Sequence, residues 1–236
     1  MEKTLLLSIY IIIESLYIIT CIKALLQIRI YLRNNGEFKT LSLSLCLMLV
    51  CGIIATILRP ICEDHIVTKI VFTSFFIFEL LNLYLIKEYA LKSKIIKKTL
   101  TLLLLLCLIY LIIIGISHYN TNSFNIFFVF ESLIAGTISL LYFIQLSSSI
   151  STKNLNEDPM TFIMLALFFC FGMPLSYTSS FISFEYMNPD YLKSLNRSDA
   201  IVMFLISRIG TICYIVFNLF IIKALKCKQI FHIGYL

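Results

Sequence analysis

Seven apolar runs, each long enough to cross a bilayer, leave this chain little choice of fold. They cover about residues 5–28, 40–58, 66–87, 97–117, 124–147, 160–181 and 199–223. A spanning helix needs about 20 mostly apolar residues. In lipid only a helix or a closed barrel satisfies its own backbone groups, and runs this continuous are helical rather than alternating. The polar stretches between them are too short to form a soluble domain. Residues 1–236 therefore read as one transmembrane domain, an all-α seven-transmembrane-helix bundle. The first run is not read as a cleaved signal peptide, because it is long, carries Glu14 mid-run and lacks a small-residue cleavage site. Composition agrees: 14% of the chain is charged and mean hydropathy is +0.95, against about 25% charged in soluble domains. The abundance of Ile, Leu, Asn, Lys and Ser looks like an AT-rich bacterial genome.

The net charge of +6 reports topology here rather than a nucleic-acid partner. Arg29, Arg33, Lys39, Lys87, Lys92, Lys94, Lys97, Lys98, Lys153, Lys223, Lys226 and Lys228 fall on one side of the seven spans. Only Lys3, Arg59, Lys69, Lys193 and Arg197 fall on the other. With twelve against five, the positive-inside rule predicts the N-terminus outside and the C-terminus inside. The longest outer loop, "FISFEYMNPDYLKSLNRSD", is rich in Phe and Tyr, as suits the headgroup interface.

The spans also repeat. "IIIESLYIIT" in the first and "FVFESLIAGT" in the fifth share E-S-L-x-x-x-T, pairing Glu14 with Glu131. "LVCGII" in the second resembles "FCFGMP" in the sixth, pairing Gly52 with Gly172. "NLYLIKEYALK" closing the third matches "NLFIIKALK" closing the seventh, pairing Asn82 with Asn218. Three matches in one order suggest two parallel three-helix repeats joined by the fourth span, a 3+1+3 arrangement known among transporters. Against this, short matches arise easily by chance in Leu/Ile-rich helices.

Four charged residues lie inside the spans: Glu14, Glu79, Glu131 and Arg208. Each costs about 2.5–3.5 kcal/mol at the bilayer centre, so such residues face the bundle interior and find partners. Three share a sign, so one arginine cannot neutralise them all. At about 1.5 Å of rise per residue, Glu14, Glu131 and Arg208 fall roughly 10–14 Å below the outer surface and Glu79 near 20 Å. The expectation is therefore that Arg208 pairs with Glu14 or Glu131, while Glu79 stands apart with Asn82 one turn on. Pro174 should kink the sixth span beside Tyr177 at the Glu/Arg level. Ser15, Ser132, Ser176 and Ser207 are small enough to let helices approach there. Two readings follow. Glu14, Glu131, Arg208, Pro174 and Tyr177 line an outward-facing ligand cavity, with Glu79, Asn82 and Asn218 as a deeper polar site. Alternatively, the same groups form a buried network that fixes helix register.

No catalytic motif stands out: there is no H-E-x-x-H, no G-x-S-x-G and no phosphate loop. The histidines, His65, His118 and His232, fall in loops or the tail, and the eight cysteines form no C-x-x-C pair. Neither a metal site nor a cofactor is expected, and the chain is read as non-enzymatic.

The region "FFVFESLIAGTISLLYFIQL" followed by "NLNEDPMTFIMLALFFCFGMPL" resembles a group of uncharacterised seven-helix membrane proteins of Bacteroidetes. In that group an acid opens helix 5, a Tyr-Phe pair closes it and a D-P-x-F-W-like entry begins helix 6. Glu131, Tyr142-Phe143 and Asp158-Pro159 match, while Thr161-Phe162 stands where Phe-Trp would be. The third span, "FFIFELLNLYLIK" with Glu79, is similar too. The likeness covers helices 3 to 7. It implies a bacterial inner-membrane protein and no established activity. The 3+1+3 pattern is also similar to PQ-loop and sugar-permease-like proteins, but the chain has no Pro-Gln pair and that function is not carried over.

Three functions fit. The first is a sensor or signalling subunit that binds a small ligand or proton in the outer cavity and meets a cytoplasmic or membrane partner at its basic inner loops. "KEYALKSKIIKK" would suit an acidic partner or anionic lipid, although an ordinary positive-inside anchor is the stronger explanation of it. The second is a small-solute transporter whose repeats rock against each other. The third is a structural subunit of a membrane complex. The long, nearly unbroken spans favour sensing, since transport sites usually break their helices.

Overall fold

The computed structural model describes residues 2–34, 39–58, 66–116, 121–148, 158–170, 201–202 and 208–227. Among them it contains helices and no strand. Seven helices follow in order: α1 (Glu2–Asn34), α2 (Lys39–Leu58), α3 (Ile66–Ala90), α4 (Lys94–Ile116), α5 (Thr121–Ser148), α6 (Pro159–Cys170) and α7 (Ile209–Lys226). Five described stretches, Leu7–Leu32, Lys39–Leu58, Lys94–Ile113, Val129–Ser148 and Ile209–Lys226, are long and apolar enough to cross a membrane by length and composition. The fold is that of an all-helical integral membrane protein.

The sequence explains which face of each helix turns inward. In α4 the buried residues are Leu100, Leu104, Cys107 and Leu111, spaced four, three and four apart, which is one stripe of a helix. Between them Leu102, Leu103, Leu105, Leu106, Ile109, Ile112 and Ile113 are exposed. A large apolar surface of this kind is what hydrocarbon would cover. The inward stripe of α2 is Leu41, Leu45, Met48, Gly52 and Ala55, and that of α5 includes Phe127, Glu131, Ile134, Ile138 and Tyr142.

Helix starts are set by local chemistry. Ser93 precedes α4, and its Oγ accepts from the Ile96 amide at 3.5 Å. Asp158 caps α6 more fully: Oδ1 accepts from the Met160 amide at 3.2 Å and Oδ2 from the Thr161 amide at 3.3 Å. Pro159 takes the first helical position, where a missing N–H costs nothing. The first helix runs beyond the expected 5–28 to Glu2–Asn34, because no Gly or Pro interrupts it and a helix need not stop where the apolar run does.

Each helix packs against the next in sequence, and α7 closes back on α1. The seven therefore form a ring. α3 also meets α5 across the ring, which leaves α4 at the periphery. α1 and α2 approach closely at Gly52, where an added Cβ would overlap the Tyr17 hydroxyl and lie 3.2 Å from Phe75. Only glycine lets Tyr17 cross α2 at that point.

Candidate functional site

The charged residues of the spans meet in two places. The outer meeting is between the first and last helices. Arg208 is the N-cap residue of α7, and its carbonyl accepts from the Ile212 amide at 3.0 Å. Its guanidinium donates through Nη1 to Glu14 Oε1 on α1 at 3.0 Å. The same guanidinium lies 4.8 Å from the ring of Tyr10, one turn before Glu14. A cation at a helix N-terminus opposes the helix dipole, and the carboxylate and the ring face offset that. The two side chains keep 12% and 14% of their exposure, so the pair is sheltered but reachable. Of the two acids expected to compete for Arg208, Glu14 holds it. Arg208 itself stands at the start of α7 rather than inside a helix spanning 199–223.

The second meeting is where α3 crosses to α5. One turn on from the Phe76–Phe127 ring contact, which spans α3 and α5, stand Glu79 and Glu131. Both residues are buried. Tyr214 on α7 donates to Glu79 Oε1 at 2.9 Å. Glu79 Oε2 and Glu131 Oε1 have no partner among the described residues. Edge-on aromatic contacts wall this site: Tyr17 with Tyr214 at 6.4 Å, Phe75 with Tyr214 at 5.6 Å, and Phe76 with Phe127 at 5.6 Å. Glu79 thus has Tyr214 as a partner rather than standing apart with Asn82, a contact between helices that depth along a single helix does not reveal.

The asparagines bridge helices. Asn218 Nδ2 on α7 reaches Thr20 Oγ1 at 3.3 Å and Cys21 Sγ at 3.2 Å on α1. Asn82 Nδ2 on α3 reaches Met48 Sδ on α2 at 3.3 Å, while its Oδ1 is buried and unpartnered among the described residues. Along α7 the polar residues Arg208, Tyr214 and Asn218 thus meet α1, α3 and α1 again. Their separations of six and four residues give steps of about 9 Å and 6 Å. Pro174 and Tyr177 lie outside the described residues, as do Ser176 and Ser207. Ser15 is exposed and Ser132 half-buried, so Ser15 is not at a close helix contact.

Sequence reasoning missed several polar residues. Tyr10 and Tyr214 look like ordinary aromatic filling of apolar helices, and only the packing shows what their faces and hydroxyls meet. Lys87 was counted as an inner-side loop charge. It is in fact fully buried in the last turn of α3, ion-paired to Glu88 and 4.3 Å from the Tyr84 ring. Tyr142 and Asp158 entered only through the family likeness. The structure joins them directly: the Tyr142 hydroxyl donates to Asp158 Oδ2, which also accepts from Thr161 Oγ1 at 2.8 Å.

Comparison of the chain with family models, with curated proteins and with solved structures found no match. Chemically, the outer pair can exchange its internal carboxylate for that of a ligand, and the inner pair can hold a positive charge between two acceptors.

Proposed function

We propose that this chain is a non-enzymatic sensor or signalling subunit of the bacterial inner membrane. In this reading it is a seven-helix bundle with its N-terminus outside and its C-terminus inside. The observation that carries the reading is the Glu14–Arg208 pair, which ties the first described helix to the last at a sheltered but reachable position. A ligand bearing a carboxylate competes with Glu14 for Arg208. If it binds better when the two helices are apart, it shifts the ring toward an opened state. The far end of α7 carries Lys223 and Lys226 in its last turn, on the side assigned to the cytoplasm, where a partner can read the movement. The same pair could instead be purely structural, and the experiment distinguishes the two. Protein in lipid nanodiscs is titrated with acetate, succinate and glutamate while its thermal unfolding is followed. The midpoint rises with at least one of them in the wild type and with none in Arg208→Leu. No response to any of the three, or an equal response in the variant, removes the reading.

One observation favours the transporter as a second reading. The contacts α1–α2 and α2–α3 have counterparts in α5–α6 and α6–α7, and the contact α7–α1 has its counterpart in α3–α5. This is the pattern expected of two parallel three-helix repeats with α4 as the linker. Uptake of the same labelled carboxylates by reconstituted vesicles, lost in Arg208→Leu, would favour transport over sensing.

A further inference from the structure

The acid pair between α3 and α5 is separate from the Glu14–Arg208 pair and needs its own explanation. A carboxylate is only an acceptor, and two buried carboxyl groups brought together without a counter-charge cannot both be ionised, so such a pair is relieved when one of them carries a proton. Glu79 and Glu131 are both buried and stand one turn on from the Phe76–Phe127 ring contact that joins α3 to α5. The titratable groups in electrostatic range are Tyr17 from α1, Cys107 from α4, Cys170 from α6 and Tyr214 from α7. No titratable group of α2 acts on the pair. None of these groups is a cation, and the arginine nearest in kind, Arg208, is engaged by Glu14. The pair thus has no protein counter-charge among the described residues. It also has two buried, unpartnered oxygens, Glu79 Oε2 and Glu131 Oε1. Buried acceptors without donors are costly, and each calls for an occupant.

We propose that Glu79 and Glu131 bind one exchangeable proton between them, and that this proton holds α3 against α5. The α3–α5 contact crosses the ring. When the proton leaves, the O–H bond of one carboxyl breaks, the proton passes to water, and two carboxylates are left facing each other across that contact. In a low-dielectric bundle their repulsion is far stronger than in water. The helices separate until water reaches the acids. Tyr214, bonded to Glu79, carries the change to α7. Intramembrane carboxyls recur in proton relays, where the charged form is costly to hold in the membrane.

Two measurements test this on the full chain in nanodiscs. Infrared spectroscopy should show a protonated-carboxyl carbonyl band at neutral pH that fades as pH is raised and is altered in both Glu79→Gln and Glu131→Gln. Leu81 and Leu133 are exposed positions on α3 and α5. Spin labels attached there through an unnatural ketone side chain should report a distance that lengthens as the band fades. In Glu131→Gln, where an amide donor replaces the shared proton and no second charge can form, the distance should stay short at every pH. Absence of the band overturns the shared proton. A distance that stays fixed while the band fades, or one that lengthens equally in Glu131→Gln, overturns its role at the contact. A distance controlled by sodium concentration and not by pH makes the occupant a metal ion and overturns the proposal as well. None of these outcomes depends on the carboxylate titration of the outer pair, so either idea can fail alone.

Discussion

Arg208 donates to Glu14 at 3.0 Å across the seam between α7 and α1, and so the bundle closes on a charge pair rather than on apolar packing alone. Removing one half takes a charged partner from the other. Arg208→Leu leaves Glu14 in a sheltered position without this donor, and should lower stability by about 1.5–3 kcal/mol. Adding Glu14→Leu removes the remaining charge of the pair and should recover much of that loss, since apolar replacement of a whole buried pair is often neutral. Chemical unfolding of the two single variants and the double variant in detergent checks this. Additive losses would mean that the pair is not coupled.

Gly52 is a steric requirement set by Tyr17. Gly52→Ala places a methyl group against the Tyr17 hydroxyl and near Phe75, and overpacking of this kind costs about 1–3 kcal/mol. In a Tyr17→Phe background the hydroxyl is gone, and the same substitution should cost clearly less. Thermal unfolding of the four proteins measures the difference. An equal cost in both backgrounds would place the constraint elsewhere.

What the sequence reveals and what it hides divide along one physical line. Helix positions follow from runs of apolar residues along the chain, a local property, and the described helices fall on the expected spans to within a few residues at most ends. Partner choice is not local. The E-S-L match singles out Glu14 and Glu131 as related acids, but their neighbours depend on which helices touch. Glu14 lies against α7 and meets an arginine. Glu131 lies against α3 and meets another acid. Composition cannot say that α3 reaches past α4 to α5, nor that Lys87 turns into the bundle instead of snorkelling outward. The asparagines were more legible. A carboxamide in an apolar helix needs a partner on another helix, and both Asn82 and Asn218 have one.

Asp158 is the anchor of the α5–α6 connection. Its carboxyl accepts from two α6 amides, the Thr161 hydroxyl and the Tyr142 hydroxyl of α5. Asp158→Ala loses the helix cap and also the acceptor shared by the Tyr142 and Thr161 hydroxyls, which keep only each other at 3.3 Å. The cap alone is worth about 0.5–2 kcal/mol and each lost bond to the carboxylate about 1.5–3 kcal/mol more. Tyr142→Phe leaves the cap in place, removes the bonds of one hydroxyl and should cost about 0.5–1.5 kcal/mol. Unfolding measurements should rank Asp158→Ala well above Tyr142→Phe. The reverse order would mean that the ring packing of Tyr142, not the bond, holds α5 to α6.

The inner end of α3 should give the protein an acid limb in its stability. Glu88 lies just past the apolar span and is flanked by Lys87, with which it pairs, and by Lys97, whose Nζ is 3.5 Å from Oε2 and 2.6 Å from the Glu88 carbonyl. Partial burial pushes the Glu88 carboxyl up. The hydrogen bond and charge of Lys87, with those of Lys97, outweigh this and hold it below its ordinary value. The unfolded chain, with an ordinary glutamate near about 4.3, therefore takes up the proton first as pH falls. The stabilisation is complete above that ordinary value and is lost as pH drops below it through the folded one. It is modest, because the Glu88 side chain keeps 37% of its exposure. The stability difference between wild type and Glu88→Gln should be constant at neutral pH and shrink in the acid limb. Unfolding followed from about pH 7 down to about pH 3 reads it directly. A difference that persists unchanged to the acid end would mean that Lys87 is held by the Tyr84 ring, 4.3 Å away, and not by the Glu88 charge.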